Sequence, residues 1–247
     1  NSLSPTMWTG RILAVAMLAG GALMPASARA DDFLDKANAA YADIERAKRS
    51  DEIMIPVLMN LAPAPAVVSD LRDARLIFVG AEGWDQALAW VNAPSQRAVL
   101  EAMTKATVPP KSRTDTTMAW GQGYGVAAAN ATLVRAGMYT ELGDPPMLAA
   151  AQHLYLPKLE QLQLLAHVEA TRLVGEGKFA DSIRVMTELL IIGRQIADRE
   201  FTAEVRWGLQ AMSDSLSRMR DIAYQDFKGK KTLTPAQIDA LLARLDD

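Results

Sequence analysis

Two charged residues sit where a helical stripe would otherwise be apolar, and they are the first candidates for chemistry. Glu169 follows Tyr155, Leu159, Leu162 and Ala166 along one stripe, and Leu173 continues it. Arg194 follows Phe179, Ile183, Met186 and Leu190 along another. At 100° per residue, each charge points with its apolar neighbours. An inward carboxylate is either half of an ion pair or a proton acceptor in a cleft, and an inward guanidinium is either its counter-ion or an anion hook. The two positions lie 8 residues before and 17 residues after Gly177, so an antiparallel hairpin does not by itself bring them together.

A second constellation is "WGQGYG", Trp120 to Gly125. Its glycines let backbone approach a neighbour closely, and Trp120 and Tyr124 offer stacking surfaces for a ligand. Packing of a tight turn on a bundle explains the same residues. The segment does not follow a strand and lacks the Lys-Ser/Thr of a phosphate loop, which excludes a nucleotide site of that kind. His153 and His167 are 14 residues apart, and the chain has no cysteine, so no metal site and no cofactor are expected. No Gly-x-Ser-x-Gly turn or nucleophile with a base is present. Glu204, Arg206 and Trp207 read as a solvated helix face.

The elements that position these residues are helical. Half of the residues are apolar but only 6% are aromatic, and alanine, leucine and methionine dominate, which favours helix over sheet. Helices are expected at Phe33–Lys48, Trp84–Val91, Gln96–Ala106 (with Ser95 as N-cap), Gly125–Ala136, Phe179–Asp198, Phe201–Phe227 and Ala236–Leu245. Another should open at Asp144-Pro145-Pro146 and run to Leu173, kinked at Pro157. On the helix from Phe201, the residues Val205, Leu209, Met212, Leu216, Met219 and Ala223 form an expected packed seam. Residues 53–80 are the least regular part. Pro56, Pro63 and Pro65 preclude a long helix, and "RLIFVG" could pair with Ala66-Val67-Val68 as a short β hairpin within 66–80. "EGWDQAL" and "EGKFADSI" share a spacing of the tetratricopeptide kind, but 94 residues separate them and no shorter period links them. The expected fold is mainly α: an irregular bundle with a helix-hairpin core and no true repeat.

The stretch from Met7 to Ala30 has an n-region with Arg11, an apolar run from Ile12 to Met24 and a small-x-small site at Ala28-Arg29-Ala30. That is the pattern of a secretory signal peptide, with Met7 as initiator. Residues 1–30 are read as that signal and 31–247 as one helical domain, exported to the periplasm or beyond the cell. The apolar run is short for a membrane span, so none is expected after cleavage. Removing residues 1–30 takes away Arg11 and Arg29 and moves the net charge from −3 to −5. An acidic chain without a basic stripe is not expected to bind nucleic acid.

The stretches "YTELGDPP", "HVEATRL" and "ADREF" resemble a set of exported, mainly α-helical bacterial proteins of unknown function. The resemblance extends over most of the chain after residue 30. It implies a secreted helical domain and carries no catalytic residue with it. Together these features point to a non-enzymatic binding or interaction protein of the cell envelope, with a protein or peptide partner held near Trp120, Tyr124 and Arg194. The alternative is a hydrolase-type envelope enzyme using Glu169 as its acid or base.

Overall fold

A computed structural model describes residues 26–108, 118–126, 129–143 and 151–243, with side chains from Leu34 onward except at Leu242. Ten helices follow in order among them. They are α1 (Ala26–Ala42), α2 (Ser50–Leu58), α3 (Leu71–Leu76), α4 (Trp84–Val91), α5 (Pro94–Thr107), α6 (Ala131–Arg135), α7 (Leu156–Gly175), α8 (Phe179–Ala197), α9 (Thr202–Lys228) and α10 (Pro235–Ala243). A single antiparallel pair, β1 (Thr140–Glu141) with β2 (Gln152–His153), lies between α6 and α7. The fold is therefore mainly α. No described helix is long and apolar enough to cross a membrane. Residues 1–25 of the signal-peptide reading lie outside the described residues, while its small-x-small site, Ala28-Arg29-Ala30, falls within α1.

The core is the up-down-up run α7–α8–α9. Leu159, Leu162, Leu165, Met186, Leu189 and Ile192 are all fully buried in it. Gly177, at φ +76°, makes the left-handed turn between α7 and α8, and Lys178 N donates to Leu173 O at 2.8 Å to close the helix end. Helices α2 to α5 cover the first face of α7 with Met54, Leu58, Val99 and Met103.

The expected hairpin within 66–80 is not formed. Ala66–Val68 is a single 3-10 turn, and Leu71–Leu76 is a helix whose N-cap, Asp70, accepts from Asp73 N at 2.8 Å. An Asx cap with a matching first turn outweighs the strand preference of a short apolar run. The observed β pair instead joins segments that were expected to be helical or to lead into one.

Pro157 opens α7 rather than kinking a longer helix, because its missing N–H costs nothing in a first turn. The expected start at Asp144-Pro145-Pro146 lies outside the described residues. The helix expected over 125–136 shrinks to α6, capped by Asn130, whose side chain accepts from Thr132 N and Leu133 N. Helix α5 begins one residue ahead of Ser95, with Pro94 in its first turn.

The expected seam on α9 is turned. Leu209 and Leu216 are 56% and 50% exposed, while Gly208, Ala211 and Ser215 are buried. The reason is the closeness of α8. A Cβ added to Gly208 would lie 2.4 Å from Gly193 O and 2.6 Å from Ala197 N. The two backbones touch, so the small face of α9 must be the inner one. Further along, α7 and α9 meet through polar groups. Gln163 donates to Asp214 at 3.2 Å and Arg218 to Thr171 at 2.8 Å. His167, wholly buried on the same face, is pushed down to about 3 by burial and by Arg218 and Arg75, and is therefore neutral.

Because backbone stands in the way, the crossing cannot yield as a side chain would. Gly208→Ala should lower the unfolding free energy by at least about 1–3 kcal/mol, the range for overpacking. A urea midpoint equal to that of the parent chain would contradict the close crossing.

Candidate functional site

Five residues before Glu204, at the end of α8, comes Arg199; the turn between α8 and α9 faces them together. Arg199 Nε donates to Glu204 Oε1 at 2.6 Å, and neither side chain is more than 1% exposed. The other Glu204 oxygen accepts from Tyr124 Oη at 2.9 Å, and Tyr155 Oη donates to Oε1. His153 Nδ1 lies 3.6 Å from the same carboxylate. Burial pushes the Glu204 carboxyl up, but His153, Arg199 and Tyr155 outweigh that and hold it below the usual glutamate range. Burial raises the Tyr124 and Tyr155 hydroxyls, so both stay protonated and serve as donors.

Arg199 does more than neutralise Glu204. Its Nη1 donates to Trp120 O at 3.0 Å and its Nη2 to Gln122 O at 2.8 Å. Its guanidinium lies 4.4 Å from the Tyr124 ring centroid and 4.6 Å from that of Tyr41. The extended segment 118–124, which forms no helix and pairs as a strand only at the Ala119–Arg49 bridge, is thereby tied to α8 and α9. Further anchors hold it: Ala119 exchanges backbone bonds with Lys48 O and Ser50 N, both at 2.9 Å, and the Gln122 side chain donates to Met138 O at 2.5 Å. Asp51 Oδ1 accepts from Gly121 N at 2.8 Å, and the Asn38 side chain exchanges bonds with Tyr124 N and O at 2.6 and 3.0 Å. A Cβ on Gly121 would lie 2.8 Å from Arg49 Nε, so this glycine admits a side chain of its own protein rather than a ligand.

The outer wall of this hub is one side of a cleft of about 530 Å³. Tyr41, Ile44 and Met118 are its apolar lining together with Trp120, and Arg194, Gln195, Asp198 and Glu200 are its polar lining, so both signs of charge face it. Of the residues picked out in the sequence, Trp120 and Arg194 thus meet on one cleft. Tyr124 lies behind its wall, wholly buried, with its hydroxyl 3.2 Å from that of Tyr41. Arg194 is half-buried and has no ion-pair partner among the described residues. Gln195 is 4% exposed. Its Nε2 donates to Ala106 O at 3.2 Å, and its Oε1 has no partner among the described residues.

Glu169 is elsewhere. It lies 14 residues beyond Tyr155 on α7, about 21 Å along the helix axis at 1.5 Å per residue. Arg172 binds it with Nε and Nη2 at 2.7 and 2.8 Å, and Arg97 reaches it from α5 at 2.8 Å. Burial pushes this carboxyl up, and the bonds from Arg172 and Arg97 outweigh it and hold it below the usual range. Glu169 and Arg194 are therefore not a pair; each has its own surroundings.

The hub residues Arg199, Glu204, Tyr155 and Tyr41 were not singled out by spacing. Glu204 and Trp207 are buried, contrary to the solvated face expected of them, while Arg206 is exposed. The available signal was an Arg just before a helix start and a Glu in its first turn, straddling a short turn. Among the described residues, no group of three or more His, Asp or Glu side chains could hold a metal ion. No protein-family model, curated protein or solved structure matches the chain.

Glu169→Gln should cost about 2 kcal/mol at neutral pH, less than the loss of a fully buried pair because Arg97 stays in contact with water. A depressed carboxyl stabilises the fold above its unfolded-state value, and that contribution disappears as pH falls through the folded value. The difference between parent and variant, followed by urea unfolding, should therefore shrink in acid; a difference independent of pH would contradict the ionised pair.

Proposed function

We propose that this chain is an exported, non-enzymatic binding protein, and that its site is the cleft bordered by Tyr41, Trp120 and Arg194. The observation that carries this reading is Arg194, a guanidinium with no ion pair among the described residues, on a concave, partly aromatic wall that the exposed Asp198 and Glu200 also line. A guanidinium in that setting forms charge-assisted bonds to a carboxylate. Next to it, Gln195 Oε1 calls for a donor. A carboxylate with an N–H close by is the C-terminal end of a peptide, and the apolar side at Ile44 and Met118 suits its last side chain.

Support for export is the pattern from Met7 to Ala30, with its charged, apolar and small-residue regions in signal-peptide order. The bonding of Glu169 favours binding over hydrolysis. Both of its oxygens are held by guanidinium groups, which makes the carboxylate a weak proton acceptor.

The test uses trialanine and its C-terminal amide, with binding followed by calorimetry. The free acid should bind saturably and the amide about tenfold or more weakly, as for loss of a charge-assisted bond. Arg194→Ala, at a half-buried position, should fold normally and bind both peptides equally weakly. Equal affinity of acid and amide for the parent chain would overturn the reading.

A further inference from the structure

A second cleft, of about 670 Å³, opens where the starts of α3, α7 and α9 meet. Leu71, Leu156, Pro157 and Leu164 are its main apolar lining, and Trp207 and Gln161 line it from α9 and α7. Trp207 is 8% exposed, and its indole Nε1 is buried without a hydrogen-bond partner among the described residues. The same is true of Gln161 Oε1. A buried indole N–H ordinarily has an acceptor, and leaving a donor and an acceptor both unmet beside one cleft is costly.

Of the other polar residues that line this cleft, Gln163, Gln210 and Asp70 are committed, while Ser69, Glu160 and Arg206 are exposed. Gln163 and Gln210 both donate to Asp214 Oδ2, at 3.2 and 2.9 Å, and Arg75 donates to Asp214 Oδ1 at 3.0 Å. Asp70 caps α3. The charge behind the wall is thus already answered; Glu160 and Arg206 line the cleft as exposed charges, and the buried polar atoms left unmet among the described residues are one donor and one acceptor, on different helices. We infer that this cleft binds a secondary amide, whose C=O accepts from Trp207 Nε1 and whose N–H donates to Gln161 Oε1. A trans amide points these two groups in opposite directions, as partners on two separate helices require. Such an amide is supplied by a peptide bond or by the acetamido group of an amino sugar. This site stands apart from the Arg194 cleft and does not depend on the peptide-terminus reading given above.

The experiment follows the indole N–H signals of the five tryptophans by NMR in the full chain. Trp207→Phe identifies the signal of interest by its loss. The probes are N-acetylalanine N-methylamide, N-acetylglucosamine, and the diester in which oxygen replaces both N–H groups of the first probe. At least one amide should move the Trp207 signal saturably, and which one does so identifies the source. The ester should bind about tenfold more weakly than the blocked alanine, as for one unmet hydrogen bond. Gln161→Leu, which needs no change at the tryptophan, should abolish the preference for amide over ester. No saturable movement with either amide, or an ester that binds as tightly as its amide, would overturn the proposal.

Discussion

The buried pair of Arg199 and Glu204 is the interaction on which the arrangement around both clefts depends. Two ions with almost no exposure are tolerable only if every lone pair and every N–H is answered. That demand is met here by recruiting groups from distant parts of the chain. Glu204 draws in Tyr124, Tyr155 and the neighbouring His153, and Arg199 draws in the carbonyls of Trp120 and Gln122. Satisfying one pair therefore fixes the segment 118–124, the β1–β2 corner and the first turn of α9 relative to one another.

The same logic explains how the clefts come to be lined as they are. Arg199 has spent its donors on Glu204 and two backbone carbonyls, so it presents the flat of its guanidinium to Tyr41 and Tyr124 and has little left for a ligand. Arg194, five residues earlier and partly open, forms no ion pair among the described residues. On the other side of the hub, Ala203, Arg206, Trp207 and Gln210 continue from Glu204 along α9 into the second cleft. A fully bonded centre thus separates two openings that each keep a buried polar atom unmet among the described residues.

Much of this was legible in the sequence because it follows from local rules. The long helices α8 and α9 were located nearly to the residue by periodicity, and the turn at Gly177 by its glycines. The inward position of Glu169 followed from helical angles alone. What stayed hidden was set by contacts between distant segments. The face of α9 was misassigned because an apolar stripe containing Leu209 and Leu216 outscored a small-residue stripe, and only the approach of Gly193 to Gly208 reverses that preference. Trp120 and Arg194 were picked for separate reasons, and nothing local says that they share a cleft. Arg199 and Glu204 look like ordinary surface charges at a helix junction until the tyrosines arrive from elsewhere in the chain.

The dependence of segment 118–124 on the buried pair can be measured by native-state hydrogen exchange in Glu204→Gln. This variant keeps the volume and removes the charge that holds Arg199. The amides of Gly121 and Tyr124 are bonded to Asp51 and Asn38. They should lose at least about tenfold in protection, while those in the middle of α7 and α8 keep theirs relative to global stability. Unchanged protection at Gly121 and Tyr124 would contradict the claim that this pair organises the site.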